Sequence, residues 1–253
     1  MTEVRSGPGY WWHGYRTMMR WELAGTRLVL PVTVTAQILL GAGFVLGVGL
    51  FFEQVPPRSA LFLSTGVAVV TLIMAGLVLV PQQIAQQKLA GTYDFLWSLP
   101  VPRTTAALAS TTVTAVLSLP GMAVALLVAL WRYDIALTVS PMVVPAAGLT
   151  IVTASLLGYA LAQAVPSPAM TQLATQVLLL VVIGFAPINY PPEQLPAWLA
   201  ALHEWLPFTH MAAVVRAALT EGMVTGVGRS YLVLTAWALG SAAVAALVVG
   251  RRR

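Results

Sequence analysis

The sequence predicts an all-α, polytopic membrane protein with six transmembrane helices in one transmembrane domain, residues 1–253. Of its 253 residues, 58% are apolar and 8% are charged, whereas soluble domains carry about 25% charged residues. A transmembrane helix needs about 20 predominantly apolar residues, and six runs approach or exceed that length. They are residues 28–52, 60–80, 106–131, 142–164, 171–186 and 231–249.

Composition also excludes several classes of protein. The chain has no Cys, so it forms no disulfide and uses no thiolate chemistry. Its net charge of +5 is spread over several loops, and no nucleic-acid surface is predicted. Prolines at 56–57, 166 and 168, and 191–192 separate the apolar runs, where helix breakers belong.

The distribution of basic residues predicts the orientation. Six spans place both termini on one side, and cytoplasmic regions carry the excess of Lys and Arg. With the termini inside, nine basic residues are cytoplasmic: Arg5, Arg16, Arg20, Arg27, Lys88, Arg103, Arg251, Arg252 and Arg253. Only four are outside: Arg58, Arg132, Arg216 and Arg229. We therefore expect both termini and residues 82–105 to be cytoplasmic.

Residues 1–27 precede the first span and are aromatic and polar. Residues 10–27 mix Trp, Tyr and Arg, which suits an interfacial helix that contacts membrane lipids at headgroup depth. A flexible basic tail is the alternative interpretation.

Residues 82–105 form a polar island between two long apolar runs and contain the only Lys of the chain. We predict that the second span continues as a helix to residue 90, and that a left-handed Gly91 ends it. Thr92 is then expected to cap a short helix, residues 93–99, with Asp94 in its first turn. The apolar side chains Phe95, Leu96 and Leu99 share one face of it. A soluble partner would dock here, unless the hairpin merely packs under the bundle.

Residues 187–222 are predicted to form an outer re-entrant hairpin. Pro196 begins a helix with an apolar stripe that includes Trp198, Pro207 ends it, and Thr209 caps another helix. Arg216 lies in that apolar helix, where a charge must be paired or reach water. We expect it to pair with Glu204, Glu221 or lipid phosphate, as part of an outer gate or as a snorkelling anchor.

Few polar residues fall inside the spans. A possible translocation path or dimer interface comprises Gln37, Thr171, Gln172, Thr175 and Gln176, with ordinary helix–helix hydrogen bonding as the alternative. The absence of Asp, Glu and Lys well inside any span argues against a proton-coupled transporter. The spacing of His203, Glu204 and His210 predicts no metal site, and a membrane enzyme would have only these residues to use.

Two segments resemble a known family. KLAGTYDFLWSLPVPR, residues 88–103, resembles the first cytoplasmic loop of ABC-2 type permeases, the membrane subunits of ABC exporters. The matching residues are Gly91, Thr92, Asp94, Leu96, Pro100, Val101 and Arg103, and Gln87 departs from the usual acid. Residues 186–216 resemble the outer hairpin of the same family, with Pro196, Trp198 and Arg216 among the shared positions.

The resemblance implies that the short helix is a coupling helix seated on a separate ABC ATPase subunit. Its expected contact residues are Lys88, Gly91, Thr92, Tyr93, Asp94, Phe95, Leu96, Leu99 and Arg103. The chain lacks the GxxxxGK[ST] phosphate loop, so we expect it to have no cofactor or enzymatic activity of its own. ATP and Mg would bind the partner ATPase subunit.

The same resemblance implies a second permease chain, identical or paralogous, in a bacterial plasma (inner) membrane. The expected function is outward movement of a lipophilic small molecule, drug or lipid-like cargo. An outer gate would include Pro196, Trp198 and Arg216. The alternative function is an ATP-independent secondary transporter or channel.

Overall fold

The computed structural model describes residues 7–51, 56–99, 101–165 and 167–250, and all regular structure in these ranges is helical. The helices are α1 (Pro8–Thr26), α2 (Leu30–Phe51), α3 (Pro57–Met74), α4 (Val80–Leu89), α5 (Thr92–Ser98), α6 (Arg103–Tyr133), α7 (Val143–Ala164), α8 (Pro168–Phe185), α9 (Ala197–His203), α10 (Pro207–Leu219) and α11 (Val227–Gly250). A π-helical turn, Ala75–Leu79, joins α3 to α4, and a 3₁₀ turn, Pro192–Gln194, precedes α9.

The structure confirms the six predicted spans. Six helical segments are long and apolar enough to cross a membrane: Leu30–Val48, Pro57–Leu89, Thr104–Tyr133, Val143–Ala164, Pro168–Phe185 and Val227–Leu247. Each coincides with one predicted apolar run. The second span continues through the start of the polar island to Leu89, as the sequence predicts.

The second span, α3 with α4, is the centre of the bundle. In its most apolar 18-residue stretch 89% of the residues are buried, against 17% for the first and fifth spans. Helices α2, α6, α7 and α10 all pack on α3. The largest fully buried side chains include Leu72, Ile73, Leu77, Met211, Leu219 and Leu234. Burial on all sides explains why this run is almost uninterruptedly apolar.

The π-helical turn ends two residues before Pro81. Because proline has no N–H, a regular helix would leave the carbonyl of Leu77, four residues earlier, without its donor. In the widened turn the N–H of Val80 donates to the carbonyl of Ala75, five residues back, whereas in a regular helix it would donate to a carbonyl four residues back. Such turns mark local irregularities within helices, and this one separates the core half of the span from its projecting end.

The second span and α7 cross closely at two glycines, Gly76 in the π-helical turn and Gly158 in α7. A Cβ atom at Gly76 would lie 2.5 Å from the backbone nitrogen of Ser155, and a Cβ atom at Gly158 would overlap the carbonyl of Gly76. Small residues allow membrane helices to approach in this way. The crossing fixes the relative position of the two helices near the π-helical turn.

Helix α1 packs along the first turns of α6. The indole Nε1 of Trp11 donates to Thr104 Oγ1 at 3.1 Å, and the Tyr15 hydroxyl donates to Thr112 Oγ1 at 3.1 Å. Gly14 brings the two helices together, because a Cβ there would lie 3.1 Å from Pro102 Cδ. The aromatic N-terminal segment is thus a helix, and its place at the membrane interface stays a prediction.

The outer segment between α8 and α11 differs in detail from the prediction. Pro196 is the N-cap of α9, which ends at His203, whereas Pro207 is the first residue of α10. The prediction that Thr209 caps this helix is wrong, because Pro207 suits the first helical position, where no backbone N–H is needed. At the other end of α10, the carbonyls of Leu219 and Ala218 accept hydrogen bonds from the N–H groups of residues 138 and 140.

Candidate functional site

Helix α5 connects the two longest helical segments of the chain. The second span has 33 residues and α6 has 31, which correspond to about 50 Å and 46 Å at 1.5 Å per residue. Both exceed the hydrocarbon thickness of about 30 Å. Because residues 82–105 are the polar part of these two segments, we expect their joined ends to project beyond the apolar layer and to carry α5 with them.

Gly91 sets the direction of α5. Its φ of 70° and ψ of −4° are left-handed, as the sequence predicts, and glycine adopts this conformation without steric cost. The residue is also the N-cap, since the N–H of Phe95 donates to the Gly91 carbonyl at 3.4 Å. The prediction that Thr92 is the N-cap is therefore wrong: Thr92 already lies in the first turn.

Two polar contacts hold α5 and the end of α4 against α7. The side-chain nitrogen Nε2 of Gln163 donates to the Tyr93 hydroxyl at 2.6 Å, and Lys88 Nζ donates to the Ala162 carbonyl at 2.6 Å. Lys88 Nζ also lies 5.7 Å from the centre of the Tyr93 ring, within cation–π range. Lys88 and Tyr93, both expected at the ATPase contact, thus engage α7 with their polar groups.

Among the side chains of α5 that the structure describes, Phe95 is the most exposed large apolar one. It is 50% exposed, and its ring centre lies 6.1 Å from that of Trp21 on α1. Leu96 and Leu99 are half-buried. The side chains of Asp94 and Arg103, also expected at the contact, lie outside the described part of the structure, as does Pro100.

A cavity of about 80 Å³ lies between α5 and the helices beside it. Its lining residues are Glu22, Val80, Ile84, Gln87, Tyr93, Leu96, Ala106, Ala107, Ser110, Thr111 and Tyr159. The Glu22 carboxylate accepts a hydrogen bond from Gln83 Nε2 at 2.9 Å, and Gln83 Oε1 accepts one from Ser110 Oγ at 3.4 Å. Burial raises the pKa of the Glu22 carboxyl, against the opposing effect of the Gln83 hydrogen bond.

Glu22 is a site residue that the sequence does not predict. It is the only acid between residues 4 and 52, and an isolated acid in an aromatic, basic helix is the signal that could have found it. Gln83, its partner, lies 61 residues away, so the contact itself is not visible in the sequence.

The polar residues predicted within the spans do not form one cluster. Gln37 is buried where α2 meets Gly121 of α6, and Thr171 and Thr175 are buried on α8. Gln172 and Gln176 are exposed on α8. Helix α2 packs on α3 and α6, whereas α8 packs on α4, α7 and the π-helical turn. Only the α8 pair is open to a partner.

Arg216 is buried at the end of the bundle opposite α5, with 4% of its surface exposed. Its guanidinium donates to Thr65 Oγ1 at 2.9 Å, to the Phe62 carbonyl at 3.3 Å and to the Ile188 carbonyl at 2.5 Å. It also lies 3.8 Å above the centre of the Phe62 ring. The side chain thus ties α10 to α3 and to the chain that follows α8.

The expected pairing of Arg216 with Glu204 or Glu221 is wrong, because the side chain points into the protein. Glu204 instead forms an exposed ion pair with Arg229, at 3.1 Å. Its backbone carbonyl lies 2.9 Å from Nε2 of His210, and His210 Nδ1 lies 3.0 Å from Ser230 Oγ. The imidazole of His203, the last residue of α9, is also buried, and this burial lowers its pKa.

The three residues expected at an outer gate occupy different environments. Trp198 is 70% exposed on α9, and Pro196 is exposed at its start, whereas Arg216 is buried. Among the described residues, no three His, Cys, Asp or Glu side chains are grouped so that they could hold a metal ion. This segment thus exposes the apolar side chain of Trp198 on α9 and buries the charged side chain of Arg216 on α10.

Comparison with known proteins agrees with this architecture. The sequence model of the ABC-2 type transporter family matches residues 10–220, a range that extends from α1 to the end of α10. No curated protein matches the chain. Association with ABC ATPase subunits is implied by this family. The chain is a multi-pass membrane protein that belongs to the ABC-2 type transporter family, as a permease.

Proposed function

We propose that the chain is the permease subunit of an ATP-driven exporter that moves a lipophilic small molecule, drug or lipid-like cargo outward. It acts as a dimer with a second permease chain, identical or paralogous, and with separate ATPase subunits that bind ATP and Mg. Both termini lie in the cytoplasm, in a bacterial plasma (inner) membrane.

The burial of Arg216 strengthens the charge argument for this orientation. Arg216 is bonded within the protein, so it is not a free loop charge. Three basic residues then remain on the outer side, Arg58, Arg132 and Arg229, against nine inside. The positive-inside rule places α1 and α5 in the cytoplasm, where the exposed Trp12 and Trp21 of α1 suit the lipid headgroup layer.

The observation that carries the proposal is that α5 exposes an apolar residue while the same segment is anchored to the bundle. Phe95 is exposed on a short helix that projects beyond the apolar layer, while Tyr93 and Lys88 anchor the same segment to α7. A push on Phe95 by a closing ATPase subunit is therefore transmitted to α7 through the anchors. It also reaches the buried α3 through the continuous helix of α4.

The open face of α8 supports a second permease chain. Gln172 and Gln176 are exposed there beside Leu173, Val177 and Leu180. A side-chain amide that faces hydrocarbon lacks hydrogen-bond partners, and a neighbouring membrane helix can supply them. We therefore place the dimer contact along α8, and Gln37 acts inside one chain at the α2–α6 crossing.

The outer hairpin, residues 187–222, acts in this proposal as the gate on the opposite side. Helix α10 is fixed by Arg216, while α9 presents Trp198 at the surface. Pro196 sets where α9 begins. Motion of α3 against Arg216 would then be the event that opens the outer end.

The test is co-purification of the ATPase subunit with variants of the permease. Phe95→Asp places a charge in the contact, where burial without a partner is costly. We expect it to lose the ATPase while the permease still inserts. Trp198→Asp, an equally drastic change of an exposed aromatic residue at the other end, should retain the ATPase. An intact complex with Phe95→Asp would place the docking site elsewhere.

A further inference from the structure

A larger cleft between α6, α7 and α11 adjoins the cavity beside Glu22. The cleft measures about 320 Å³ and is lined by Thr104, Ala107, Leu108, Thr111, Val152, Ser155, Leu156, Tyr159, Ala242, Ala245 and Ala246. Three residues, Ala107, Thr111 and Tyr159, line both spaces, so the two lie next to each other along these side chains. The cavity and the cleft form the two halves of the candidate site.

The site is polar at one end and apolar at the other. The Glu22 end adds the side chains of Gln87, Tyr93 and Ser110. The α6–α7–α11 end is lined mostly by alanine and aliphatic side chains. An amphiphilic molecule with one polar group matches this division, since binding sites combine an apolar lining with a few fixed polar groups.

The polar end carries a carboxylate whose hydrogen-bond partner is neutral. Glu22 is bonded to the amide of Gln83, and between described residues the one ion pair of the protein is Arg229–Glu204. Burial raises the pKa of the Glu22 carboxyl. A cation beside it would favour the ionised form and form a charge-assisted contact.

We infer that the cavity and the adjoining cleft together bind a lipophilic organic cation, with its charge at Glu22 and its apolar body in the α6–α7–α11 cleft. The inference rests on the proposed function and names the class of cargo. Residues of the cleft belong to the beginning of α6 and to the later halves of α7 and α11, the end of the bundle that carries α5. A cationic amphiphile in the inner leaflet has the same arrangement, with its charge at the interface and its body in hydrocarbon.

The position of the site also links it to α5. Tyr93 and Leu96 of α5 line the Glu22 end, and Tyr93 is the residue that Gln163 holds. A displacement of α5 by a partner would change the shape of the site directly. Cation binding and partner docking thus act on the same helix from opposite sides.

The experiment measures binding of the fluorescent cation ethidium to the purified full-length chain in detergent, by fluorescence anisotropy. Glu22→Gln keeps the side-chain shape and removes the charge, and it should weaken ethidium binding by about tenfold or more, the effect of one charge-assisted contact. Ala246→Phe fills the cleft and should weaken binding similarly. Glu204→Gln, the matched loss of an acid on the outer hairpin, should bind ethidium like the parent.

A neutral probe, N-phenyl-1-naphthylamine, separates charge from shape. Its affinity should fall with Ala246→Phe and stay within about twofold of the parent with Glu22→Gln, since the two probes share only the apolar cleft. The inference is overturned if the parent does not bind ethidium, if Glu22→Gln binds it unchanged, or if that variant loses both probes equally. No ATPase subunit is present in this measurement, so its failure leaves the Phe95→Asp docking test standing.

Discussion

In the proposed orientation, the outer end of the bundle, around α10, and the cytoplasmic end, around α5, differ in how tightly their helices are held. At the outer end, α10 is buried along most of its length, Arg216 has three hydrogen-bond acceptors, and residues 138 and 140 donate to the last carbonyls of α10. At the cytoplasmic end, Phe95 and Leu89 are exposed, and Glu22 faces a cavity. Trp198 on α9 is exposed as well, so the difference lies in the packing of α10 and α5 and not in the amount of exposed apolar surface.

The difference indicates which end of the bundle moves easily when a partner binds and which end resists movement. Open apolar surface and an internal cavity allow α5 to move at low cost, because few contacts must be broken. The buried bonds of Arg216 make the outer end stiff and able to switch only as a unit. We therefore call the cytoplasmic end, where α5 would receive the movement of a partner, the input. We call the outer end, where Arg216 holds α10 in place, the latch.

The largest effect should come from removing the latch. Arg216→Ala leaves the acceptors on Thr65, Phe62 and Ile188 without their donor and creates a void above the Phe62 ring. We expect the free energy of unfolding to fall by about 2–5 kcal/mol, because three charge-assisted hydrogen bonds are lost and their buried acceptors are left unsatisfied. Thermal unfolding followed by tryptophan fluorescence measures it.

Two variants sharpen that result. Arg216→Lys should recover only part of the stability, because an ammonium cannot reproduce the planar fork that reaches separate acceptors. Arg229→Ala breaks the ion pair with Glu204, in which both side chains are about 60% exposed, and such a pair contributes at most about 1 kcal/mol. If Arg216→Ala and Arg229→Ala had equal unfolding temperatures, the buried Arg216 would contribute no more to stability than the exposed ion pair, which would contradict its role as a latch.

A smaller effect is expected at the cytoplasmic end. Gly91→Val forces a β-branched residue into the left-handed conformation, at a cost of about 1–2 kcal/mol, and should redirect α5 without unfolding the bundle. The measured quantity is ATPase activity of the assembled complex, which we expect to fall.

The matched control for Gly91→Val is Gly43→Val. Gly43 lies in α2 at negative φ, and a Cβ there meets no atom within 4 Å. Its substitution should leave the ATPase activity unchanged. Parent-like ATPase activity in Gly91→Val would show that the direction of α5 does not matter for coupling.

The sequence predicted the features that depend on neighbours along the chain. Six spans, the continuation of the second span to Leu89 and the left-handed Gly91 all follow from local apolar runs and helix-ending chemistry. The partners of Arg216 did not follow, because Thr65 is 151 residues away. Proximity in sequence favoured Glu204, which packs at the surface instead.

The same limit applies to the candidate sites. Which side of α5 is open depends on how α1 and α7 pack against it, and this explains why Tyr93 and Lys88 face α7 while Phe95 stays exposed. The cavity at Glu22 exists only because five helices, α1 and α4 to α7, leave a gap between them. No local pattern in any of the five encodes that gap.

The contrast between the two ends is tested most directly by hydrogen–deuterium exchange of backbone amides in lipid nanodiscs, with and without the ATPase subunit. For the chain alone, we expect slow exchange in α10 and fast exchange in α5. In the complex, α5 should become protected while α10 stays unchanged. Fast exchange of α10 in the chain alone, or no change in α5 on complex formation, would contradict the assignment of latch and input.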